Sequence, residues 1–207
     1  MTNQPKTILE TPRLLLREMT RDDYPALAAI LRDAQTMYAY EGAFSEEETR
    51  HWLDKNLARY KNDGFGLWAV VLKENGTNAK ASHYPTDAGS EHKSSLHLSA
   101  RPDCGGTPLV GQAGITMQDV DGEQFPEIGY LLNRRYWGRG YATEAAIACK
   151  RYAFETLGFD EICSIVRDIN LPSMNVAIRN GMLPRKMTVR HFRGVDMPHY
   201  VFSVKRD

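Results

Sequence analysis

Residues 127–142 read Glu-Ile-Gly-Tyr-Leu-Leu-Asn-Arg-Arg-Tyr-Trp-Gly-Arg-Gly-Tyr-Ala, one acid followed by a basic, glycine-rich turn. Gly138 and Gly140 stand just before Ala142-Thr143-Glu144-Ala145-Ala146, a strongly helix-forming run. A glycine turn that opens a helix collects free backbone N–H groups at the positive end of the helix dipole, which makes a seat for phosphate. The natural donors are the N–H groups from Tyr136 through Trp137, Gly138, Arg139, Gly140 and Tyr141 to Ala142 and Thr143, with Arg135 and Arg139 as charge partners. A side chain at 138 or 140 would obstruct the approach of a ligand. Upstream, Glu127 to Leu132 reads as a short apolar strand, and Gly129 inside it marks a bulge or a close approach. Two other phosphate patterns are excluded: the dinucleotide fingerprint needs a glycine where Thr143 stands, and no P-loop lysine follows the turn.

What the turn does contain is Arg135-x-x-Gly138-x-Gly140-x-Ala142, with Glu-Ile-Gly-Tyr before it. Asn170-Leu171-Pro172-Ser173 and Arg179-Asn180-Gly181-Met182 follow. This ordered set resembles the GNAT acyltransferases, in particular their RimJ/RimL-type branch, whose members acylate amino groups. The resemblance implies an acetyl-CoA-dependent N-acetyltransferase acting on a primary amine, either a protein N-terminus or a small molecule, by direct transfer in a ternary complex. A non-catalytic acyl-CoA-binding sensor is the alternative, and the polar groups at Glu127 and Ser173 favour the enzyme. The implied fold is α+β, a mixed sheet of about seven strands with helices on both faces. Its fourth and fifth strands splay apart to admit the cofactor.

The same resemblance assigns roles. Backbone groups of Gly129, Tyr130 and Leu131 would meet the pantetheine amides, and an N–H of Tyr130 or Leu131 would serve as oxyanion donor. Glu127 would be the general base, tuned by partial burial, unless it pairs with an arginine instead. Many members carry a tyrosine acid on the helix after the fifth strand, but residues 170–180 contain none. Ser173 takes that place, with Asn170 on the pantetheine arm; either could equally cap the helix. Tyr38, Tyr40 and Glu41 would face the amine-bearing acceptor, or else the aromatics are core and Glu41 is solvated. A homodimer is a family habit, and no metal is implied.

The elements that must position these groups are legible in outline. Arg13 to Arg17 is a strand candidate, and a helix follows Thr20-Arg21-Asp22-Asp23 to about Arg32. Ser45 with Glu48 is a capping box opening a second helix. Phe65 to Lys73 reads as a buried strand, Leu109 to Met117 and Pro126 to Leu132 as a hairpin around Asp121-Gly122. Helices at Gly140 to Leu157 and Asn170 to Asn180 flank a strand from Glu161 to Val166. Met187 to Arg193 and Met197 to Val204 close the chain as a hairpin. Residues 75–108 are polar and poor in large apolar side chains, and read as an insertion in one domain, a lid or a subunit contact. Its His83, His92 and His97, with Cys104, match no zinc spacing.

Composition sets the outer bounds. The 207 residues suffice for one substantial core, and 26 basic residues balance 26 acidic ones. A neutral chain has no general electrostatic reason to bind nucleic acid or anionic membrane. Met1 to Lys6 lacks the apolar segment of a signal peptide, and no apolar run reaches membrane-spanning length. Cys104, Cys149 and Cys163 form no close pair, as expected of a cytoplasmic protein.

Overall fold

The computed structural model describes residues 5–73 and 108–206. Residues 75–107 of the expected insertion, including His83, His92, His97 and Cys104, lie outside the described residues.

Twelve elements build one sheet with helices on both faces. They are β1 (Thr7–Glu10), β2 (Leu14–Arg17), α1 (Tyr24–Leu31), α2 (Glu46–Asn62), β3 (Leu67–Leu72), β4 (Leu109–Val120), β5 (Glu123–Leu132), α3 (Tyr141–Glu155), β6 (Glu161–Arg167), α4 (Leu171–Arg179), β7 (Leu183–Phe192) and β8 (Val195–Lys205). The sheet has eight strands in the order β1-β2-β3-β4-β5-β6-β8-β7. The eighth strand, absent from the sequence reading, is β1. It is only four residues long and ends at Thr11-Pro12, a pair that reads as a boundary; Thr11 N–H closes the turn on Leu14 C=O at 2.9 Å. β7 also begins earlier than expected, at Leu183. Its first residues include Pro184 and are exposed, which an edge strand with a bulge tolerates.

β3 (Leu-Trp-Ala-Val-Val-Leu) is buried at every residue because helices cover both of its faces. On one face Leu16, Trp68, Val70, Ile115, Ile128 and Ile162 pack against α3. The small side chains Ala145, Ala146, Cys149 and Ala153, all fully buried, let α3 lie close on the sheet. On the other face Leu67, Ala69 and Val71 meet Leu27, Leu31 and Leu53 of α1 and α2. The Ser45–Glu48 capping box is present, with Glu48 N–H donating to Ser45 Oγ at 3.1 Å and Ser45 N–H to Glu48 Oε2 at 2.7 Å. β4 and β5 turn at Asp121 and Gly122, both at positive φ, the geometry of a tight hairpin turn.

The sheet is antiparallel at every junction except β5–β6, which are parallel and in register only at Glu127 and Cys163. Beyond that rung the two strands part. Period-two alternation then divides β5 between the faces: Ile128 joins the α3-side core, whereas Glu127 pairs across to Thr116 and so shares the α1/α2 face. The open rung therefore links the two faces of the molecule.

Candidate functional site

Two side chains fill the first missing rung. Ser164 Oγ donates to Ile128 C=O at 2.9 Å, and Ile165 N–H donates to the Glu127 carboxylate at 3.2 Å. The next groups along β5 are left to the gap. Asn133 N–H is bonded to Val110 C=O on β4, so alternation turns Leu131 N–H toward β4 and Tyr130 N–H toward the gap. Of the two N–H groups expected there, Tyr130's is the one that faces it. The gap opens into a cleft of about 410 Å³ that runs through the sheet.

The glycine turn follows β5 and opens α3. Arg135 N–H is held by Asn133 Oδ1 (3.1 Å), Tyr136 N–H by Asn133 C=O (2.9 Å) and Trp137 N–H by Arg134 C=O (3.1 Å). These three are spent on a 3-10 turn, so the expected run of donors narrows to Gly138 through Thr143, whose N–H groups take no bond among the described residues. Tyr141, Ala142 and Thr143 are the first helical residues of α3, where no intrahelical acceptor exists. Gly138 and Gly140 both have positive φ, 72° and 77°. A Cβ at Gly138 would meet nothing within 4 Å, so within the chain it is the backbone angle, not crowding, that asks for glycine there. The open space and free donors fit a diphosphate. The Tyr141 ring is buried core under the Arg13 guanidinium, and Trp137 Nε1 is bonded to Leu132 C=O at 2.7 Å; both side chains anchor the turn. Arg135 and Arg139 are exposed, Arg139 lying over the Tyr136 ring.

A long-range cluster braces this turn. Glu144 accepts from Thr11 Oγ1 (2.6 Å), Arg13 N–H (3.0 Å) and Arg13 Nε (2.6 Å), and Arg13 Nη1 reaches Arg139 C=O at 2.9 Å. Arg13 and Glu144 are 131 residues apart, beyond any local pattern.

On the α4 side, Asn170 caps the helix, its Oδ1 accepting from Ser173 N–H (3.2 Å) and from the Tyr38 hydroxyl (2.7 Å). Ser173 does not cap. Its Oγ donates to the Tyr130 hydroxyl at 3.1 Å, and that hydroxyl donates to Ser173 C=O at 2.8 Å. Burial pushes the Tyr130 phenol above its ordinary pKa, against a smaller lowering by Ser173. A phenol from β5 thus meets the first turn of α4.

On the α1/α2 face, burial raises Glu127 from 4.5 to about 7, opposed by the charge of Arg190, the Ile165 N–H and the charge of Arg59. No arginine lies within ion-pair distance of it among the described residues. Tyr40 lines the cleft, edge-on to Phe44 and Trp52, and burial raises its phenol to about 12. Glu41, 31% exposed, pairs with Arg167 from a left-handed backbone position (φ 57°). The β7–β8 hairpin reaches over this face. Lys186 and Thr188 hold Asp121 at 2.8 and 2.9 Å, Arg190 holds Gln118 at 3.2 Å, and Arg193 grips both Glu48 oxygens at 2.6 and 2.7 Å. Cys149 and Cys163 are free and fully buried. Among the described residues no group of His, Cys, Asp or Glu side chains is placed to hold a metal, and no helix is long and apolar enough to cross a membrane.

Comparison with known proteins agrees with this geometry. The uncharacterized protein YkkB of Bacillus subtilis is 31% identical over 178 residues, covering 86% of each chain. The crystal structure of an acetyltransferase from Agrobacterium tumefaciens superposes with a TM-score of 0.69 at 26% identity, over 96% of this chain and 94% of that one. RimL, a ribosomal L7/L12 alpha-N-protein acetyltransferase, shares the fold at 14% identity, with a TM-score of 0.69 over 98% and 95% of the two chains. Residues 13–183, which hold both the parted strands and the glycine turn, match the acetyltransferase (GNAT) domain, and the chain belongs to that family.

Proposed function

We propose that the protein transfers the acetyl group of acetyl-CoA to a primary amine by direct attack within a ternary complex. The observation that carries this is the position of Glu127, at the rung where the sheet opens, with a pKa near neutrality and one oxygen already oriented by Ile165 N–H. A carboxylate so placed can take a proton from an ammonium at working pH. The diphosphate would lie on the N–H groups of Gly138 to Thr143, with the pantetheine arm running along Gly129 to Leu131 and past Asn170. The thioester supplies the activated acyl group.

One ammonium proton passes to Glu127 and on to solvent. The amine nitrogen bonds to the carbonyl carbon, whose oxygen is stabilised by Tyr130 N–H, and the carbon–sulfur bond breaks. The second nitrogen proton ends on the departing sulfur, guided by the hydrogen-bonded hydroxyls of Tyr130 and Ser173. An acyl-enzyme is disfavoured because Cys149, raised to about 12 by burial, and Cys163 are both sealed in the core. Tyr40 lies on the acceptor side, whereas Tyr38 reaches the site through Asn170 and Glu41 through Arg167. Calorimetric titration with acetyl-CoA, followed by thiol release on a panel of amines, tests the proposal. Binding with turnover is expected; binding without turnover on every amine would favour an acyl-CoA sensor.

A further inference from the structure

The charge of the acceptor half of the cleft is not balanced. Lys55, Arg59, Arg167 and Arg190 line it, and Glu127 is the one acid among the described lining residues. Arg167 is compensated by Glu41. Arg190 and Arg59 make no ion pair among the described residues: their side-chain hydrogen-bond partners are neutral, Gln118 Oε1 at 3.2 Å and Asn56 Oδ1 at 3.1 Å, and the charges of Asp63 and Glu127 act on Arg59 only from beyond ion-pair distance. Both are part-buried. Three side-chain donors around the same cleft, Arg190 Nη2, Arg167 Nε and Gln112 Nε2, have no partner among the described residues. Gln112 is held in place by Trp52, whose Nε1 donates to its Oε1 at 3.0 Å.

A part-buried guanidinium group that makes no ion pair, beside donors left without a partner, favours an anion that joins it. Glu127 does not fill that role, since it makes no ion pair with either arginine and spends one oxygen on Ile165 N–H. An acceptor carrying only ammonium groups would be repelled at this position. A guanidinium fork, by contrast, matches a carboxylate in shape and charge. Arg190, His191 and Phe192 of the β7–β8 hairpin also line this face, and a cleft of about 410 Å³ suits a small ligand better than a peptide chain.

Resting on the amine-acceptor reading above, we infer that the acceptor is a small amine that also bears a carboxylate, as an amino acid does, with Arg190 and Arg59 receiving the carboxylate while the amine faces Glu127.

The test compares amino acids with their own carboxamides, and with a diamine and a short neutral peptide, in thiol-release assays at saturating acetyl-CoA. The expected result is a kcat/KM for the acids about 10- to 100-fold above that for the amides, the worth of a charge-assisted hydrogen bond. Arg190→Gln should bring the two together by lowering only the rate on the acid, and Arg59→Gln should do so in part. Thermal melts of both variants establish that they fold, and either one alone suffices for the comparison. Preference of the wild type for amides, diamines or peptides, or an acid-to-amide ratio unchanged in both variants, would overturn the inference while leaving amine acetylation intact. Should no amine be turned over, the functional reading fails, and the anion site is read without chemistry. N-acetyl amino acids and their amides are titrated calorimetrically into the protein with CoA. Preference for the carboxylate form, lost in Arg190→Gln, supports the site; equal binding removes it.

Discussion

Ile165 N–H donates to the Glu127 carboxylate at 3.2 Å across the point where β5 and β6 part. In a closed parallel ladder that N–H would bond to a β5 carbonyl. The side chain of Glu127 replaces the backbone acceptor, so the residue that ends the pairing also lines the cleft. The separation of the strands and the placement of the proposed base are then the same structural event.

Glu127→Gln keeps the shape and an oxygen for Ile165 N–H, so the fold and acetyl-CoA affinity should persist. Removing a general base lowers kcat by roughly 10²- to 10⁴-fold. Calorimetry and initial rates on the same preparation separate the two effects. Turnover within twofold of wild type would remove Glu127 as the base.

The pKa of about 7 at Glu127 has a signature in both rate and stability. The rate should rise with pH through about 7 and then level, as the carboxylate forms. Burial raises this carboxyl, so between 4.5 and about 7 the folded protein holds a proton that the unfolded chain has released. The folded state binds more protons across that window, and stability falls as pH rises through it. Arg190 and Arg59 oppose the shift, and His199, held below its ordinary value chiefly by burial, also lines this cleft. Denaturant unfolding at about pH 5 and about pH 8 should show the decline in wild type and a flatter response in Glu127→Gln. A wild-type curve parallel to that of the variant would contradict the assignment.

Tyr130→Phe removes the hydroxyl that bridges Ser173 Oγ and Ser173 C=O. Loss of one hydrogen bond to a developing thiolate is worth about 1.5–3 kcal/mol, or roughly 10- to 100-fold in kcat, with KM for acetyl-CoA little changed. Ser173→Ala should cost less, because the phenol remains. Equal rates in wild type and Tyr130→Phe would place the proton path elsewhere.

Much of this site is local and therefore readable. The Gly138–Gly140 turn, the helix it opens and the strand before it follow one another in the chain, and their backbone chemistry depends on spacing alone. Ser45–Glu48 and Asp121–Gly122 were legible for the same reason. What could not be read is long-range. Nothing near Arg13 announces Glu144, nothing near Glu41 announces Arg167, and the Tyr130–Ser173 pair joins residues 43 apart. The roofing of the acceptor face by Arg190 and Arg193 depends on how far a terminal hairpin curls, which alternation along its strands does not encode. β1 was missed because four half-exposed residues carry too little period to register.

Leu72 N–H and Pro108 C=O approach to 3.3 Å, and β3 pairs with β4 as direct neighbours. The two ends of the polar stretch 75–108 thus meet where a short turn would serve. Removing residues 78–105 should leave the melting temperature within a few degrees, the scale on which about 1 kcal/mol registers in a domain of this size. A chain that no longer folds would make that stretch structural.

Glu144 offers a test of the phosphate seat that is independent of the acceptor side. Burial works against its carboxylate, but the hydrogen bonds from Thr11 and Arg13 win and leave its pKa below the ordinary 4.5. A carboxylate held this way stabilises the fold above its unfolded pKa, and that contribution is lost as pH falls through the folded value. The pair is only 28% and 16% exposed, so Glu144→Ala should cost about 1–3 kcal/mol at neutral pH, with a smaller difference from wild type in acid. Because Arg13 also holds Arg139 C=O, the glycine turn loosens with it, and acetyl-CoA affinity should fall as well. Gly140→Glu acts differently. It adds an anion at a residue with φ 77° and a Cβ position 3.4 Å from Arg13 Nη2, so acetyl-CoA binding should be abolished. Normal acetyl-CoA affinity in Gly140→Glu would refute the seat. A Glu144→Ala protein with wild-type affinity and lowered stability would confine the Arg13–Glu144 pair to the fold.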